Sequence, residues 1–194
     1  DNVVAGAGNN TINTGADDDQ VNLTGGTNDL NTGTGNDQVT VSGGNNTIST
    51  ETGNDQITIS GGTNTIASGD GADTLSLSAG ISNISTGSGD DTITASGGAS
   101  NVDIRSLDGG SGTDRLNIIS TGTVTLPTAT NIETFFISDT VHQSLDFSFS
   151  SSLTGIELDS GTTIDNAAIT LTLGAGQSLT LNSLTDGDTA AASV

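Results

Sequence analysis

Aspartate recurs every 18 residues through the first half of this sequence. Several of these aspartates follow glycines that stand two and four residues earlier, as in GTGND at 33–37 and GSGDD at 87–91. Glycine lets a turn adopt a positive φ and direct its carbonyl oxygens inward. Carboxylate and carbonyl oxygens are the ligands that Ca²⁺ prefers, about six to eight at a time, whereas Mg²⁺ demands a stricter octahedral geometry. The pattern therefore predicts a column of calcium-type ligands. Its aspartates are Asp1, Asp19, Asp37, Asp55, Asp73 and Asp91.

A second column, of asparagine, lies nine residues after the aspartates. Like charges stacked about 5 Å apart repel by roughly 1 kcal/mol per pair in water and by about 3 kcal/mol at an effective dielectric constant of 20. Stacked asparagine amides instead bond to one another, because each amide both donates and accepts. We therefore expect one edge of the molecule to need a cation and the other to need none. The second column consists of Asn10, Asn28, Asn46 and Asn64, continued by Ser82 and Ser100.

Apolar residues keep the same period and define the fold. Two series follow each aspartate by two and four residues, and a third follows each asparagine by two. This alternation is typical of β-strands, and a unit with one apolar side buries it by stacking on its neighbours. Each unit holds two short strands and two turns, which predicts an all-β parallel β-solenoid of 18-residue coils. The series are Val3, Val21, Val39, Ile57, Leu75 and Ile93; Ala5, Leu23, Val41, Ile59, Leu77 and Ala95; and Ile12, Leu30, Ile48, Ile66, Ile84 and Val102.

The charge balance limits the partners of this chain. Lys and Arg number 2 against 23 Asp and Glu, which gives a formal net charge of −21. Nucleic acids and anionic membrane surfaces are excluded as partners, because both need a basic face. No apolar run is long enough for membrane insertion. High charge with low hydrophobicity ordinarily predicts disorder, but the strict period favours a fold once a counter-ion is present.

One segment carries a resemblance to a known family. Residues 109–117, GGSGTDRLN, fit every fixed position of the RTX nonapeptide pattern G-G-x-G-x-D-x-U-x. The turns that end at Asp37, Asp73 and Asp91 keep the glycines at positions two and four and lack the first. Residues 1–118 thus resemble an RTX β-roll, which implies that adjacent turns on one edge bind Ca²⁺ together. The implied ligands are Asp19, Asp37, Asp55, Asp73, Asp91 and Asp114, with the carbonyls of Gly33, Gly35, Gly53, Gly69, Gly71, Gly87, Gly89, Gly110 and Gly112.

Some positions depart from the RTX pattern. At the asparagine turns the aspartate of the pattern has become Asn, which argues against calcium on that edge. Asp17 and Glu51 stand where other turns have Gly, and Glu51 is interpreted as a solvated turn residue. Asp18 and Asp90 directly precede column aspartates and are interpreted as solvated charges, not as ligands.

The second half of the chain changes character after Asp91. The next aspartate of the pattern, Asp114, comes 23 residues later, and the added stretch contains Arg105, Leu107 and Asp108. We expect the coil to widen there and the two arginines, at 105 and 115, to pair with Asp103 or Asp108. All four Phe lie beyond this point, at 135, 136, 147 and 149. Alternation continues in Leu145-Phe147-Phe149, Ile169-Leu171-Leu173 and Leu179-Leu181.

Residues 119–194 are predicted to continue the solenoid with a wider cross-section, and the whole chain to be part of a longer protein. The segments ATNIETFFI at 129–137 and LTGIELDS at 153–160 are interpreted as rungs of this part. Its composition, rich in Ser, Thr, Ala and Gly and free of Lys, resembles the calcium-binding S-layer proteins of Gram-negative bacteria. That resemblance implies a secreted, cell-surface structural protein that self-associates into an extracellular lattice.

Two other classes of function remain open. One is an RTX adhesin, with ice binding as a special case. A flat row for ice would consist of Thr34 and Asn36 with Thr52 and Asn54, and it ends at the next rung, which has Asp70. The other is the folding and secretion module of a secreted enzyme whose active part lies elsewhere.

Catalytic residues are scarce. The chain has no Cys, Tyr or Lys and one His, His142, with Ser144 and Asp146 nearby. A nucleophile would need a serine activated by this histidine, and Ser and Asp are abundant throughout. The sequence predicts that this chain is not an enzyme.

Overall fold

The chain forms a parallel β-solenoid in which two sheets share one apolar core. The structure, a computed structural model, describes residues 1–98, 101–119, 124–125, 129–138, 144–146, 154–158, 170–172 and 191–193. These residues contain no helix, and so none with the length and apolar composition of a membrane span. The strands are β1 (Asn2–Ala5), β2 (Asn9–Ala16), β3 (Gln20–Leu23), β4 (Thr27–Thr34), β5 (Gln38–Val41), β6 (Asn45–Ser49), β7 (Gln56–Ile59), β8 (Thr63–Asp70), β9 (Thr74–Leu77), β10 (Gly80–Ser88), β11 (Thr92–Ala95), β12 (Val102–Asp108), β13 (Arg115–Ile118), β14 (Val124–Thr125), β15 (Ala129–Thr130), β16 (Thr134–Ile137), β17 (Ser144–Asp146), β18 (Gly155–Leu158), β19 (Thr170–Thr172) and β20 (Ala191–Ser193).

Each coil contributes one strand to each of the two sheets. Sheet A has the order β1-β3-β5-β7-β9-β11-β13-β16-β18, and sheet B has the order β14-β12-β10-β8-β6-β4-β2 with β15 also paired to β12. All pairings among the described strands are parallel, and up to β10 each residue lies opposite the one 18 positions later, as Val21 lies opposite Val39. A third sheet has the order β17-β19-β20. The predicted solenoid is confirmed.

The apolar columns fill the space between the sheets. Val39 and Val41 on sheet A and Ile48 on sheet B have exposures of 1% or less, while their sequence neighbours point outward. Because side chains alternate between the two faces of a strand, a slip of one residue would expose a whole column. The apolar columns therefore fix the register that aligns the turns.

A β-bulge interrupts the repeat between β10 and β12. Ser82 lies opposite Ile104, but Asn83 lies opposite Ser106, so Arg105 is the extra residue. A bulge inserts one residue without ending the pairing of two strands. The coil therefore absorbs part of its added length inside a strand.

One predicted column is corrected by the bulge together with the four residues that the chain adds before β12. Val102 lies opposite Gly80, so the prediction that it continues the column of Ile84 is wrong. Leu107 lies opposite Ile84 instead and is buried. The predicted continuation of the asparagine column, Ser100, lies outside the described residues, and Ile104 holds the position opposite Ser82. Where the 18-residue spacing ends, the buried position opposite Ile84 is therefore occupied by Leu107.

The two arginines have different partners. Arg105 Nε lies 3.5 Å from Asp103 Oδ2, which confirms one predicted pair. Arg115 Nη2 donates to Glu157 Oε2 at 2.7 Å, so the predicted aspartate partner of Arg115 is wrong. The guanidinium also lies 5.2 Å from the ring centre of Phe136. Strands β13, β16 and β18 are neighbours in sheet A, so Arg115, Phe136 and Glu157 lie side by side on its outer face.

The later coils keep the parallel arrangement. Strands β16 and β18 come from the two segments interpreted as rungs, and they pair with Thr134 opposite Gly155. Phe135 is fully buried in the core. The domain boundary at residue 118 stays a prediction. The following predicted positions lie outside the residues whose side chains are described: His142, Ser144, Leu145, Asp146, Phe147, Phe149, Ile169, Leu171, Leu173, Leu179 and Leu181.

Candidate metal edge

The column aspartates lie in the turns that lead into the strands of sheet A. Asp37 immediately precedes β5, and Asp55 immediately precedes β7. A carboxylate is normally a surface group, yet each of these has an exposure of 3% or less. The parallel register brings the side chains into one file along the edge. The buried members are Asp19, Asp37, Asp55, Asp73, Asp91 and Asp114.

One carboxylate oxygen of each aspartate accepts a backbone hydrogen bond from the coil before it. The Asp37 N–H donates to Asp55 Oδ1 at 2.8 Å, and the Asp55 N–H donates to Asp73 Oδ1 at the same distance. The contact repeats from Asp19 to Asp114 at 2.8–2.9 Å. We call this series the aspartate ladder.

The other oxygen, Oδ2, of each ladder aspartate is buried and has no hydrogen-bond partner. Leaving a buried polar atom without a partner costs about 1–3 kcal/mol, and more when the group is charged. Within the described residues, no three carboxylate, imidazole or thiol side chains lie close enough to hold a metal ion. A cation at this edge would therefore need backbone carbonyls as well.

Glycines bring those carbonyls to the edge. Gly53 has a φ of 141°, and a Cβ at this position would lie 1.7 Å from the Gly35 carbonyl oxygen. A Cβ at Gly71 would lie 1.8 Å from the Gly53 carbonyl oxygen. Only glycine accepts both this backbone conformation and this approach. All the predicted glycine ligands have positive φ, namely Gly33, Gly35, Gly53, Gly69, Gly71, Gly87, Gly89, Gly110 and Gly112.

Replacing Gly53 with Ala is expected to lower the free energy of unfolding by about 3 kcal/mol, since the backbone conformation is nearly exclusive to glycine and the new Cβ meets the Gly35 carbonyl. Gly25→Ala is the matched control, because a Cβ at Gly25 meets nothing within 4 Å. Thermal melts of both variants in saturating calcium provide the measurement. Equal destabilisation of the two variants would contradict the close approach of the turns.

Two acidic residues occupy glycine positions in these turns. Asp17 has a φ of 76° and Glu51 a φ of 67°, so both adopt the left-handed conformation that the position requires. Glu51 is exposed, as predicted, and its Oε1 accepts a hydrogen bond from Asn31 Nδ2 at 2.9 Å. Such strain in a non-glycine residue costs about 1–3 kcal/mol, which the glycines at the equivalent positions of the other RTX turns avoid.

The residues before the ladder aspartates form a second, exposed ladder, which is interrupted at Ala72 because alanine has no side-chain acceptor. The Asn36 N–H donates to Asp18 Oδ1 at 2.7 Å, and the Asn54 N–H donates to Asn36 Oδ1 at 2.9 Å. Asp90 Oδ1 accepts from the Thr113 N–H in the same way. Asp18 and Asp90 are exposed, as interpreted from the sequence, but they also hold the next turn in place.

The opposite edge carries the amide ladder predicted from the sequence. Asn28 Nδ2 donates to Asn46 Oδ1 at 2.7 Å, and Asn46 Nδ2 donates to Asn64 Oδ1 at 2.8 Å. Asn46 Nδ2 also donates to the Gly43 carbonyl at 3.1 Å. Both atoms of the buried Asn46 amide are thus satisfied, in contrast to Oδ2 of the aspartates.

Sequence reasoning missed a buried hydroxyl column at the aspartate edge. Thr50 Oγ1 donates to the Ser68 carbonyl at 2.8 Å, and Ser68 Oγ donates to the Thr86 carbonyl at 3.0 Å. These side chains are fully buried. The available signal was a Thr or Ser five residues before each aspartate, up to Gly109, which stands in that place before Asp114.

Sequence reasoning also missed Glu133. The Asp114 N–H donates to Glu133 Oε2 at 2.8 Å, so Glu133 continues the aspartate ladder by one coil. It lies 19 residues after Asp114 and follows no glycine pair. Neither the 18-residue count nor the glycine pattern could have found it.

The first hundred residues match a known repeat family. Five overlapping stretches, 1–30, 23–57, 31–66, 58–80 and 76–100, match the RTX calcium-binding nonapeptide repeat (4 copies). The chain belongs to this family. RTX repeat proteins are typically secreted extracellular proteins. Among curated proteins and solved structures, none matches this chain.

The electrostatics of the RTX edge are unfavourable to its own carboxylates. Burial raises the pKa of Asp55 and Asp91, and it raises the pKa of Asp73 and Asp114 to about 6. The charge of a neighbouring ladder aspartate adds to the effect at Asp73 and at Asp114. The pKa of Asp19 is lowered instead, because the α-amino group of Asp1 donates to its Oδ1.

With calcium chelated, acidification is expected to stabilise the RTX fold. The pKa of Asp73 and Asp114 is about 6 in the folded chain, above the 3.8 of an unperturbed Asp. The stability that these two groups contribute is therefore fully present at pH values below the pKa of the unfolded chain, and it is lost as the pH rises through about 6. Circular dichroism in chelator between about pH 4.5 and pH 7.5 should show more β-sheet at the lower pH.

Saturating calcium is the control for this experiment. Protons compete with a cation for the same carboxylates, so the calcium-loaded chain should lose stability on acidification. A chelated chain that gains β-sheet as the pH rises would contradict the burial of these carboxylates.

Proposed function

We propose that this RTX chain binds a single file of Ca²⁺ ions along its aspartate edge and serves as a structural rod in a bacterial surface layer or similar extracellular array. The observation that carries the proposal is the row of buried Oδ2 atoms without partners, one on each ladder aspartate. A buried carboxylate in that position needs a positive charge. Among the described residues, Asp19 is the only ladder aspartate in a salt bridge, and its partner is the α-amino group of Asp1.

The donor chemistry of the edge fits calcium. Each ion would be held by Oδ2 of ladder aspartates and by carbonyls of the glycine turns above and below. These are hard oxygen donors, and such a set suits the flexible coordination geometry of Ca²⁺ better than the octahedron that Mg²⁺ demands. When bound, the ion supplies the charge that offsets repulsion between stacked carboxylates. The asparagine edge needs no ion, because its amides bond to one another.

A structural role is supported by the way the polar side chains are used. The aspartate, asparagine and hydroxyl ladders all connect one coil to the next. Side chains committed to these contacts hold the stack together and are not available to a substrate. We accordingly propose that the solenoid is not itself an enzyme.

Electron microscopy of the full-length protein with calcium tests the surface-layer role. An ordered two-dimensional lattice that disperses in chelator would support it. Isolated calcium-bound particles would contradict it and would favour an adhesin or a secretion module. Thermal hysteresis of the purified chain would point to the ice-binding alternative, whose row of Thr34 and Asn36 extends over two rungs.

A further inference from the structure

The turn before Glu133 is three residues shorter than the RTX turn before Asp114, yet it ends in a carboxylate that makes the same ladder contact. Glu133 Oε2 accepts the Asp114 N–H at 2.8 Å, as Asp114 Oδ1 accepts the Asp91 N–H at 2.9 Å. Glu133 immediately precedes β16, as Asp114 immediately precedes β13. Asn131, two residues earlier, has a φ of 53°. The ladder contact therefore extends beyond residues 1–100, which match the repeat family.

Two oxygen acceptors converge on one buried point where this turn stacks on the turn before it. A Cβ built on Gly109 would lie 2.0 Å from the Asn131 carbonyl oxygen and 2.6 Å from Asp114 Oδ2. Asp114 is fully buried, and its Oδ2 has no hydrogen-bond partner. Two acceptors that face one another repel unless a donor or a cation lies between them.

Gly109 makes this convergence possible. In the preceding coils the equivalent position holds the buried side chain of Ser68 or Thr86, whereas at Gly109 the Asn131 carbonyl approaches the space that a side chain would fill. The side-chain Nδ2 of Asn131 donates to Asp108 Oδ1 at 2.8 Å, and this hydrogen bond stabilises the left-handed conformation of Asn131. The carbonyl is thereby aimed at Asp114.

We propose that Asp114, Glu133 and the Asn131 carbonyl form one further Ca²⁺ site, which closes the file one coil beyond the RTX repeats. The site rests on the proposed calcium edge, but its residues lie outside the matched repeats and its last carboxylate comes from a turn without glycine. Two carboxylates and a carbonyl are hard donors of the kind that Ca²⁺ takes. The ion offsets the repulsion between Asp114 and Glu133, which are joined by a hydrogen bond between adjacent coils.

Counting ions on the whole chain by native mass spectrometry in a calcium titration tests this site. Glu133→Gln keeps an acceptor for the Asp114 N–H and removes the charge. Gly109→Ala keeps every carboxylate and places a methyl group 2.0 Å from the Asn131 carbonyl oxygen. Glu51→Gln is the control, because it makes the same charge change in an exposed turn of the same edge.

Each of the two test variants is expected to bind one calcium ion fewer than the wild type, and the control to bind the same number. If Glu133→Gln does not fold in calcium by circular dichroism, Gly109→Ala decides alone. A wild type that binds calcium together with folded variants that bind the same number would overturn this site and leave the calcium edge standing. A wild type that binds no calcium would overturn the proposed function itself.

Discussion

In the presence of a chelator at neutral pH, this chain is expected to lose most of its β-sheet circular dichroism signal and to regain it when Ca²⁺ is added. Ordering the backbone costs about 1–2 kcal/mol per residue, and the stacked carboxylates add repulsion of about 1–3 kcal/mol per pair. The core is a narrow file of mostly aliphatic side chains, and its burial is not expected to offset both the conformational entropy and the repulsion. The metal therefore supplies much of the folding free energy.

Magnesium at the same concentration is the control for this experiment. It should restore far less β-sheet, because it releases its water reluctantly and demands octahedral geometry. Equal β-sheet content with chelator and with calcium would show that the apolar columns suffice alone, and it would contradict the need for a cation at the aspartate edge.

Replacing Asp55 with Asn is expected to have opposite effects at low and high calcium. Asn keeps an oxygen that accepts the Asp37 N–H, and it removes a buried charge whose pKa is raised by burial. Without calcium the variant should therefore be at least as stable as the wild type. With calcium it should be less stable by up to about 5 kcal/mol, because each of two sites that share Asp55 contributes about 2.7 kcal/mol at one hundred times its Kd.

The reverse substitution, Asn46→Asp, is the matched comparison on the other edge. The carboxylate loses the donors to Asn64 Oδ1 and to the Gly43 carbonyl. It is then a buried charge that faces two acceptors, which costs roughly 3–5 kcal/mol. This loss should not depend on calcium, because no ion is expected at the asparagine edge.

Both variants should be melted across a calcium titration. The curve of transition temperature against calcium concentration should flatten for Asp55→Asn and should shift down in parallel for Asn46→Asp. Parallel shifts of equal size for both variants would mean that the two edges are equivalent and that neither is specialised for a cation.

The regular part of the fold could be predicted because its causes are local and repeat. Apolar and polar residues alternate around Val39 and predict a strand, and Gly33 and Gly35 predict a turn. The same spacing recurs until Asp91. Register then follows, since one face of every strand is apolar. The charge at Asp55 and the amide at Asn46 likewise indicate which edge needs a cation.

The rest of the fold and of the site depends on contacts between residues that do not follow the 18-residue spacing. The bulge at Arg105 shifts the column so that Leu107 replaces Val102 beside Ile84, and only the paired strand reveals that shift. Glu133 reaches the ladder with a longer side chain and a different interval. Arg115 pairs with Glu157, which lies two strands away on the outer face of sheet A. No local sequence pattern specifies a partner so distant in sequence.

The buried ladders of this solenoid all have the same polarity. The Asp37 N–H, the Asn28 amide and the Thr50 hydroxyl each donate to the coil that follows in sequence. A coil therefore finds its acceptors in these three ladders only when its C-terminal neighbour is in place, although backbone groups such as the Gln38 N–H donate to the preceding coil. Assembly that advances from the C-terminal coils towards the N-terminus satisfies these ladder donors as each coil is added, whereas assembly in the other direction leaves those of its leading coil unsatisfied until the next coil forms. The three ladders thus favour growth of the stack from its C-terminal end.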